Sequence, residues 1–411
     1  MFLSLIKKNK NYFISTVSKL ISIFYGLSLL KILSSFMNEF DFSNYFISYN
    51  FVLYFSTLFF TLQGSAVLRF YHILGENNIN KFYGILNTIS VISLAFLFIN
   101  SIIFTTLKID FLIIIFFLII FYSLFMNEIN FLRIKHLFDK VLQLIFIQSF
   151  SSITLLLIFR NDLNLKVSLL IISFSFFISF IFIRYNTISS IFNKVSFNYL
   201  SKHFQIFKYS FPILLIALFN FMISSFDQYL LKYFGYNDDL AAYIANYNIA
   251  EKSIVTLLSI ISLVFVPKVF RKYKNLEKET FKDVFNIVFV FIFLSTIILF
   301  LLFFYHEIFT IILTNKIYVY LSWIIPYIGF AGIFLGINSL FSEILTVSKK
   351  TYKILISYTI GVFINIVLNI IFIDKYGIIS ALFSSIISYI AMTIVTLYFV
   401  YKEYKLLNFI K

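Results

Sequence analysis

The sequence predicts an all-α polytopic membrane protein. About twelve transmembrane helices fall into two six-helix bundles, related by a pseudo-two-fold axis along the membrane normal, with a central cleft. Three observations predict this: an apolar composition, an alternation of charge from loop to loop, and a segment that is said twice. Of 411 residues, 61% are hydrophobic and 12% are charged, where a soluble globular chain is roughly 25% charged. Apolar runs long enough to cross a bilayer recur from end to end. No polar stretch is long enough to build a large soluble domain.

Each span is read as a helix, because an open strand would leave backbone groups unpaired in lipid. The spans run over about 12–33, 45–68, 84–106, 110–128, 141–159, 167–185, 209–231, 241–266, 283–304, 321–345, 354–373 and 378–400. Only LKID (107–110) divides the third from the fourth. The opening MFLSLIKKNK precedes a long apolar run with no small-residue cleavage site, so the first span is read as retained. The loop at 305–320 is the longest on the side away from the termini. On the other side, residues 191–208 mix Phe, Ile and Leu with Lys, Asn and Ser, which predicts an amphipathic linker on the membrane surface. That linker divides the chain into bundles over 1–190 and 209–411.

Lysine and arginine fix the orientation. On the side of the N-terminus lie 24 of them, and the opposite side holds seven. Positive charge marks the cytoplasmic face, so both termini are expected there, in a bacterial inner membrane. The net charge of +15 is then topogenic and attracts anionic lipid, and no nucleic-acid partner is called for. There is no cysteine, which excludes disulfides and thiolate metal sites. The four histidines are scattered without ligand spacing, so no metal site and no cofactor is expected. No GxxxxGK[ST] phosphate loop occurs.

The repetition lies at 41–50, DFSNYFISYN, and 239–248, DLAAYIANYN. Asp, Tyr, Tyr and Asn take the same four places. Flanking matches keep the register: SLLKILSS (28–35) with YLLKYFG (229–235), and VLRFY (67–71) with VPKVF (266–270). Each half contains an even number of spans, so both halves enter the membrane from the same side, as a parallel repeat does. Two such bundles suit a transporter that opens alternately to either face.

Three segments resemble a known family. KYSFPILLIALFNFMISSFDQYLLKYFG (208–235) with AYIANYNIAEK (242–252) and VPKVFRKY (266–273) looks like helices 7 and 8 of bacterial O-antigen and polysaccharide flippases. VLNIIFIDKYGIISALFSSIISY (367–389) looks like their helices 11 and 12, and GSAVLRFY (64–71) like the end of their helix 2. Those flippases belong to the multidrug/oligosaccharidyl-lipid/polysaccharide exporter superfamily. The resemblance implies a flippase, not an enzyme. It would move undecaprenyl-pyrophosphate-linked oligosaccharide, an O-antigen or other lipopolysaccharide or surface-polysaccharide unit, to the periplasmic leaflet. An H+ or Na+ gradient would drive it, and polysaccharide polymerase machinery would be a partner. The alternatives are a multidrug antiporter of the same superfamily, a lipid II flippase (whose usual form carries further helices), and a polysaccharide polymerase or ligase. A polymerase normally needs a larger outer loop than this chain has.

Ionisable groups within spans are costly and are therefore the site candidates. Lys19, Arg69 and Lys252 are expected to form a cationic cavity for the pyrophosphate, Lys252 at a position that is usually basic in the family. The competing reading is that long stems carry Lys19 and Arg69 to the interface. Asp227, in the FD-x-Y motif, is either a coupling-ion carboxylate or the structural partner of a base such as Lys252. Asn365 and Asn369 share one helix face and serve either as polar groups of the lumen or as a link between helices. Gly329, Gly332 and Gly336 with Pro326 mark the tenth span for close packing or a bend.

Overall fold

In the computed structural model of this chain, residues 10–74, 76–104, 109–184, 204–272 and 277–409 are described. They form twelve long helices. α1 spans Lys10–Phe36, α2 Glu39–Leu74, α3 Glu76–Phe104, α4 Ile109–Ile134, α5 Phe138–Ile158 and α6 Leu165–Arg184. α7 spans Phe204–Tyr233, α8 Asn237–Lys272, α9 Lys278–Leu313, α10 Ile324–Val347, α11 Thr351–Tyr376 and α12 Ile378–Phe409. Two short 3-10 turns, Arg160–Asp162 and Lys316–Leu321, complete the described elements. No strand occurs among the described residues.

Ten of these helices are long and apolar enough to cross a membrane. The protein is a multi-pass membrane protein. The two helices outside that set are α2 and α8, which are the two that carry the repeated segment. Both are 36 residues long, and both open on acidic residues, Glu39 and Asp41 in α2 and Asp238 and Asp239 in α8. Acids there face the partial positive charge of a helix N-terminus. Asn246, Asn248, Glu251 and Lys252 then interrupt the apolar run of α8.

Several helices outrun the bilayer core. The segment expected as an outer loop at 305–320 is helix as far as Leu313, because HEIFTIIL continues the apolar run; the chain bends at Tyr305 (φ −121°, ψ 18°) instead of ending there. Residues 105–108 separate α3 from α4 and lie outside the described residues. So does the expected amphipathic linker as far as residue 203, and α7 has begun by Phe204.

The chain divides into two compact units. One comprises Met1–Leu29 with Phe36–Leu218, the other Leu30–Ser35 with Phe219–Lys411. In the first unit α2 packs on α3, α4 and α6, α4 on α3, α5 and α6, and α5 on α6. In the second, α8 packs on α9 and α10, α10 on α9, α11 and α12, and α11 on α12. Adding six to the helix numbers of the first set returns nearly the whole of the second. The repetition heard in ten residues is therefore a repetition of packing throughout each unit.

Within each unit small polar groups bridge helices, as they do where no water competes. Ser123 of α4 donates to Ser56 of α2 (2.8 Å), and Thr396 of α12 donates to Asn338 of α10 (2.6 Å). The glycines of α10 serve close approach. A methyl group on Gly336 would lie 2.1 Å from the ring of Phe291 in α9, and one on Gly332 3.2 Å from Ile254 in α8. Phe289, Phe293, Phe300 and Phe303 of α9 are exposed on its outer side, where a lipid-facing helix carries its large apolar groups.

Candidate functional site

The second unit holds a buried acid. Asp227 of α7 is wholly buried. A bare carboxylate in such a place would be very costly, so its oxygens need donors. One oxygen accepts the backbone N–H of Gln228 at 2.8 Å. The other accepts a short hydrogen bond from the hydroxyl of Tyr243 in α8. The expected tie from Asp227 to α8 is thus made by Tyr243, nine residues before Lys252. Tyr243 is a tyrosine of the repeated segment, and it stacks obliquely on the next one, Tyr247, with ring centres 5.8 Å apart.

Close packing brings α7, α11 and α12 together one turn from this acid. A methyl group on Gly361 of α11 would meet Ile223 of α7 at 3.2 Å and the carbonyl of Ser388 of α12 at 3.5 Å. Asn365 stands one turn beyond Gly361, as Asp227 stands one turn beyond Ile223. Asn365 and Asn369 are both fully buried. Asn369 donates to the Asn365 side chain at 3.2 Å and accepts from Ser384 of α12 at 2.8 Å. The pair therefore links α11 to α12 and does not present its amides on an open surface. The Asn365 amide nitrogen has no partner among the described residues.

The three expected cations fare differently. Lys19 of α1 is half-buried and has no hydrogen bond or ion pair among the described residues. Its charged neighbour is Arg133 at the end of α4, which is also half-buried and likewise without such a partner. Sequence reasoning had placed Arg133 in a loop among the topogenic charges. Its position in the last turn of a helix, opposite Lys19, was not legible from spacing. Lys252 of α8 is half-buried beside Glu251. Arg69 falls in α2, and its side chain lies outside the described residues.

Other groups were missed. Asn246 of α8 is fully buried and donates to the carbonyls of Ala242 (2.9 Å) and Tyr318 (3.0 Å), while Thr310 of α9 donates to it at 2.7 Å. Lys350 and Lys353 close on the buried Glu403 of α12. Those two lysines, read only as topological signals, hold the ends of α11 and α12 together. No group of His, Cys, Asp and Glu with metal-binding proximity occurs among the described residues.

No known family profile and no curated protein matches this sequence. Solved structures do match its fold. The lipid II flippase MurJ in an inward closed conformation superposes with a TM-score of 0.66 at 18% identity, over 95% of this chain and 87% of MurJ. An outward-facing multidrug resistance MATE family transporter of the MOP superfamily superposes with a TM-score of 0.72 at 12% identity, over 97% of this chain and 95% of its own. A MOP superfamily transporter from Pyrococcus furiosus, described as having a binding pocket of reversed polarity, gives 0.71 at 12% identity. The chain has the fold that MurJ and the MATE transporters share.

Proposed function

We propose that this protein is a transporter of the MOP superfamily that flips a lipid-linked oligosaccharide carried on undecaprenyl pyrophosphate. One observation carries the reading beyond the fold. Lys19 and Arg133 are half-buried cations near enough to repel one another, and neither has an ion pair among the described residues. Like charges held together in a poorly hydrated place cost free energy, and a pyrophosphate would offset that cost with charge-assisted hydrogen bonds. Arg133 lies in the last turn of α4 and Lys19 about two and a half turns into α1, both in the helix halves that the charge distribution assigns to the cytoplasm, where such a cargo would be loaded. Lys252 is a half-buried cation of the second unit, and Asp227 is the carboxylate best placed to carry a coupling proton. Burial opposes its charge while donors to both oxygens favour it, which brings its two protonation states close in free energy.

A second reading has its own support. An outward-facing multidrug MATE transporter superposes at a TM-score of 0.72 against 0.66 for MurJ, and embedded acids such as Asp227 and Glu251 suit cationic drugs.

Deletion of the gene in its host separates the two. Loss of surface polysaccharide with accumulation of single lipid-linked units on the cytoplasmic face is expected. The wild-type gene should restore the polymer, and Lys19→Glu or Arg133→Glu should not. Unchanged glycan with new drug sensitivity would establish the antiporter instead. Units already exposed on the periplasmic face would point to a polymerase.

A further inference from the structure

Behind the Asp227–Tyr243 bond lies an enclosed chamber of about 20 Å³ in the second unit. Tyr243, Tyr247 and Glu251 of α8 line it, with Ser385 and Tyr389 of α12. From α10 it receives only apolar side chains and the bare backbone of Gly332. A space of roughly 10–15 Å³ is enough for one water molecule, provided polar partners surround it. The partners are present. Ser385, which lines this space, is 5% exposed, and its hydroxyl has no hydrogen-bond partner among the described residues. A buried hydroxyl left unpaired costs free energy, and one water would satisfy it.

Tyr243 therefore belongs to two environments at once. Its hydroxyl donates to Asp227, and Tyr243 also lines the chamber that Glu251 lines. We propose that Glu251 is a proton-carrying residue, joined to Asp227 through one water in this chamber and the hydroxyl of Tyr243. The step balances without any redox partner. Protonated Glu251 gives its proton to the water, the water gives one of its own to the Tyr243 oxygen, and Tyr243 gives the proton it already directs at Asp227 to that carboxylate. Glu251 ends ionised, Asp227 ends neutral, and water and tyrosine are unchanged. The charged and titratable groups around the path are Lys252, beside Glu251 on α8, Tyr247 on α8, Tyr389 on α12 and Asp227 on α7. The inference deepens the ion-coupled reading of Asp227 by assigning it a second acid in the same unit.

The test is infrared titration of carboxyl bands in the purified full-length protein reconstituted in lipid vesicles. Loss of a band in Glu251→Gln and of another in Asp227→Asn assigns each. With the path intact, Glu251→Gln is expected to move the midpoint of the Asp227 band by about one pH unit, as interacting sites do. In a Tyr243→Phe background the Coulombic part of that shift should remain, but proton exchange between the two bands after a pH jump should slow about tenfold or more. Ser385→Ala, the mildest change, should shift the Glu251 carboxyl stretch by removing one anchor of the water. An Asp227 midpoint indifferent to Glu251, or a Glu251 band indifferent to Ser385, would overturn the inference. The titration needs no cargo. Failed flipping with coupled midpoints would defeat only the proposed function, and normal flipping with independent midpoints would defeat only this proposal.

Discussion

The pair α1–α2 and the pair α7–α8 are the same construction with different chemistry. Each second helix opens on an acid in its first turn, and each carries two tyrosines one turn apart. Tyr45 and Tyr49 stack at 5.9 Å with planes 7° apart, and Tyr243 and Tyr247 lie at 5.8 Å and 46°. The difference is on the partner helix. The shared LLK of residues 29–31 and 230–232 aligns Gly26 with Asp227. Tyr243 thus has an acceptor, while the hydroxyl of Tyr45, equally buried, has none among the described residues. A second difference lies inside the segment itself, where Ser48 of α2 stands in the place of Asn246 of α8. The repeat preserves the positions that set packing, and function has been placed unequally upon it. Two half-buried cations with no ion pair among the described residues, Lys19 and Arg133, belong to the first unit, and the acid–tyrosine bond belongs to the second.

The largest test of that inequality is at Asn246. Asn246→Ala strips a partner from the Tyr318 carbonyl and the Thr310 hydroxyl, both within the second unit. The Thr310 hydroxyl keeps its bond to the His306 carbonyl, so the expected cost is about 2–3 kcal/mol, from the unpaired Tyr318 carbonyl and the lost packing of a buried side chain. Ser48→Ala, the matching change in α2, should be close to neutral. Thermal unfolding of the purified variants in one detergent reads both. Equal losses would break the comparison. Next comes the tyrosine pair. Tyr243→Phe leaves a buried carboxylate without its hydroxyl donor and should cost about 2 kcal/mol, whereas Tyr45→Phe removes a hydroxyl that bonds to nothing described and should cost nothing or stabilise slightly. A loss at Tyr45 as large as that at Tyr243 would mean that the first unit holds an acceptor too.

Much of this was legible in sequence, and the reasons are physical. Composition and the spacing of apolar runs give twelve helices because lipid leaves the backbone no other choice. DFSNYFISYN and DLAAYIANYN already contained Tyr45, Tyr49, Tyr243 and Tyr247, so the partner of Asp227 was in view as part of a repeat before it had a role. What could not be read was which neighbour a side chain chooses. Charge alone offers a base such as Lys252 as a partner of Asp227, whereas the bond from α8 seen among the described residues comes from the neutral hydroxyl of Tyr243. Arg133, Lys350 and Lys353 were counted as charges that orient the chain. A count along the sequence does not distinguish a lysine in water from one that closes on Glu403. Asn365 and Asn369 were placed correctly on one face, but spacing alone does not say whether that face meets a lumen or, as here, another helix.

The smaller tests ask whether the aligned positions are equivalent in space as well as in sequence. Gly26→Asp would give the first unit the acid it lacks. If Gly26 stands to Tyr45 as Asp227 stands to Tyr243, the new carboxylate and the orphan hydroxyl should be coupled by about 1 kcal/mol in a double-mutant cycle with Tyr45→Phe. Absence of coupling would show that the match of Gly26 with Asp227 stops at the sequence. The last comparison is where the two units should agree. Asp41 pairs with Asn38, which donates to it at 3.0 Å, and Asp239 accepts from Tyr320 at 3.0 Å. The local partners differ, but each acid sits in the first turn of a long helix, where its charge meets the helix dipole. Asp41→Asn and Asp239→Asn should each therefore cost about 0.5 kcal/mol, and both losses should shrink together as salt is raised. A loss at Asp239 that ignores salt would assign its role to the Tyr320 bond, and the first letter of the repeated segment would then have two meanings.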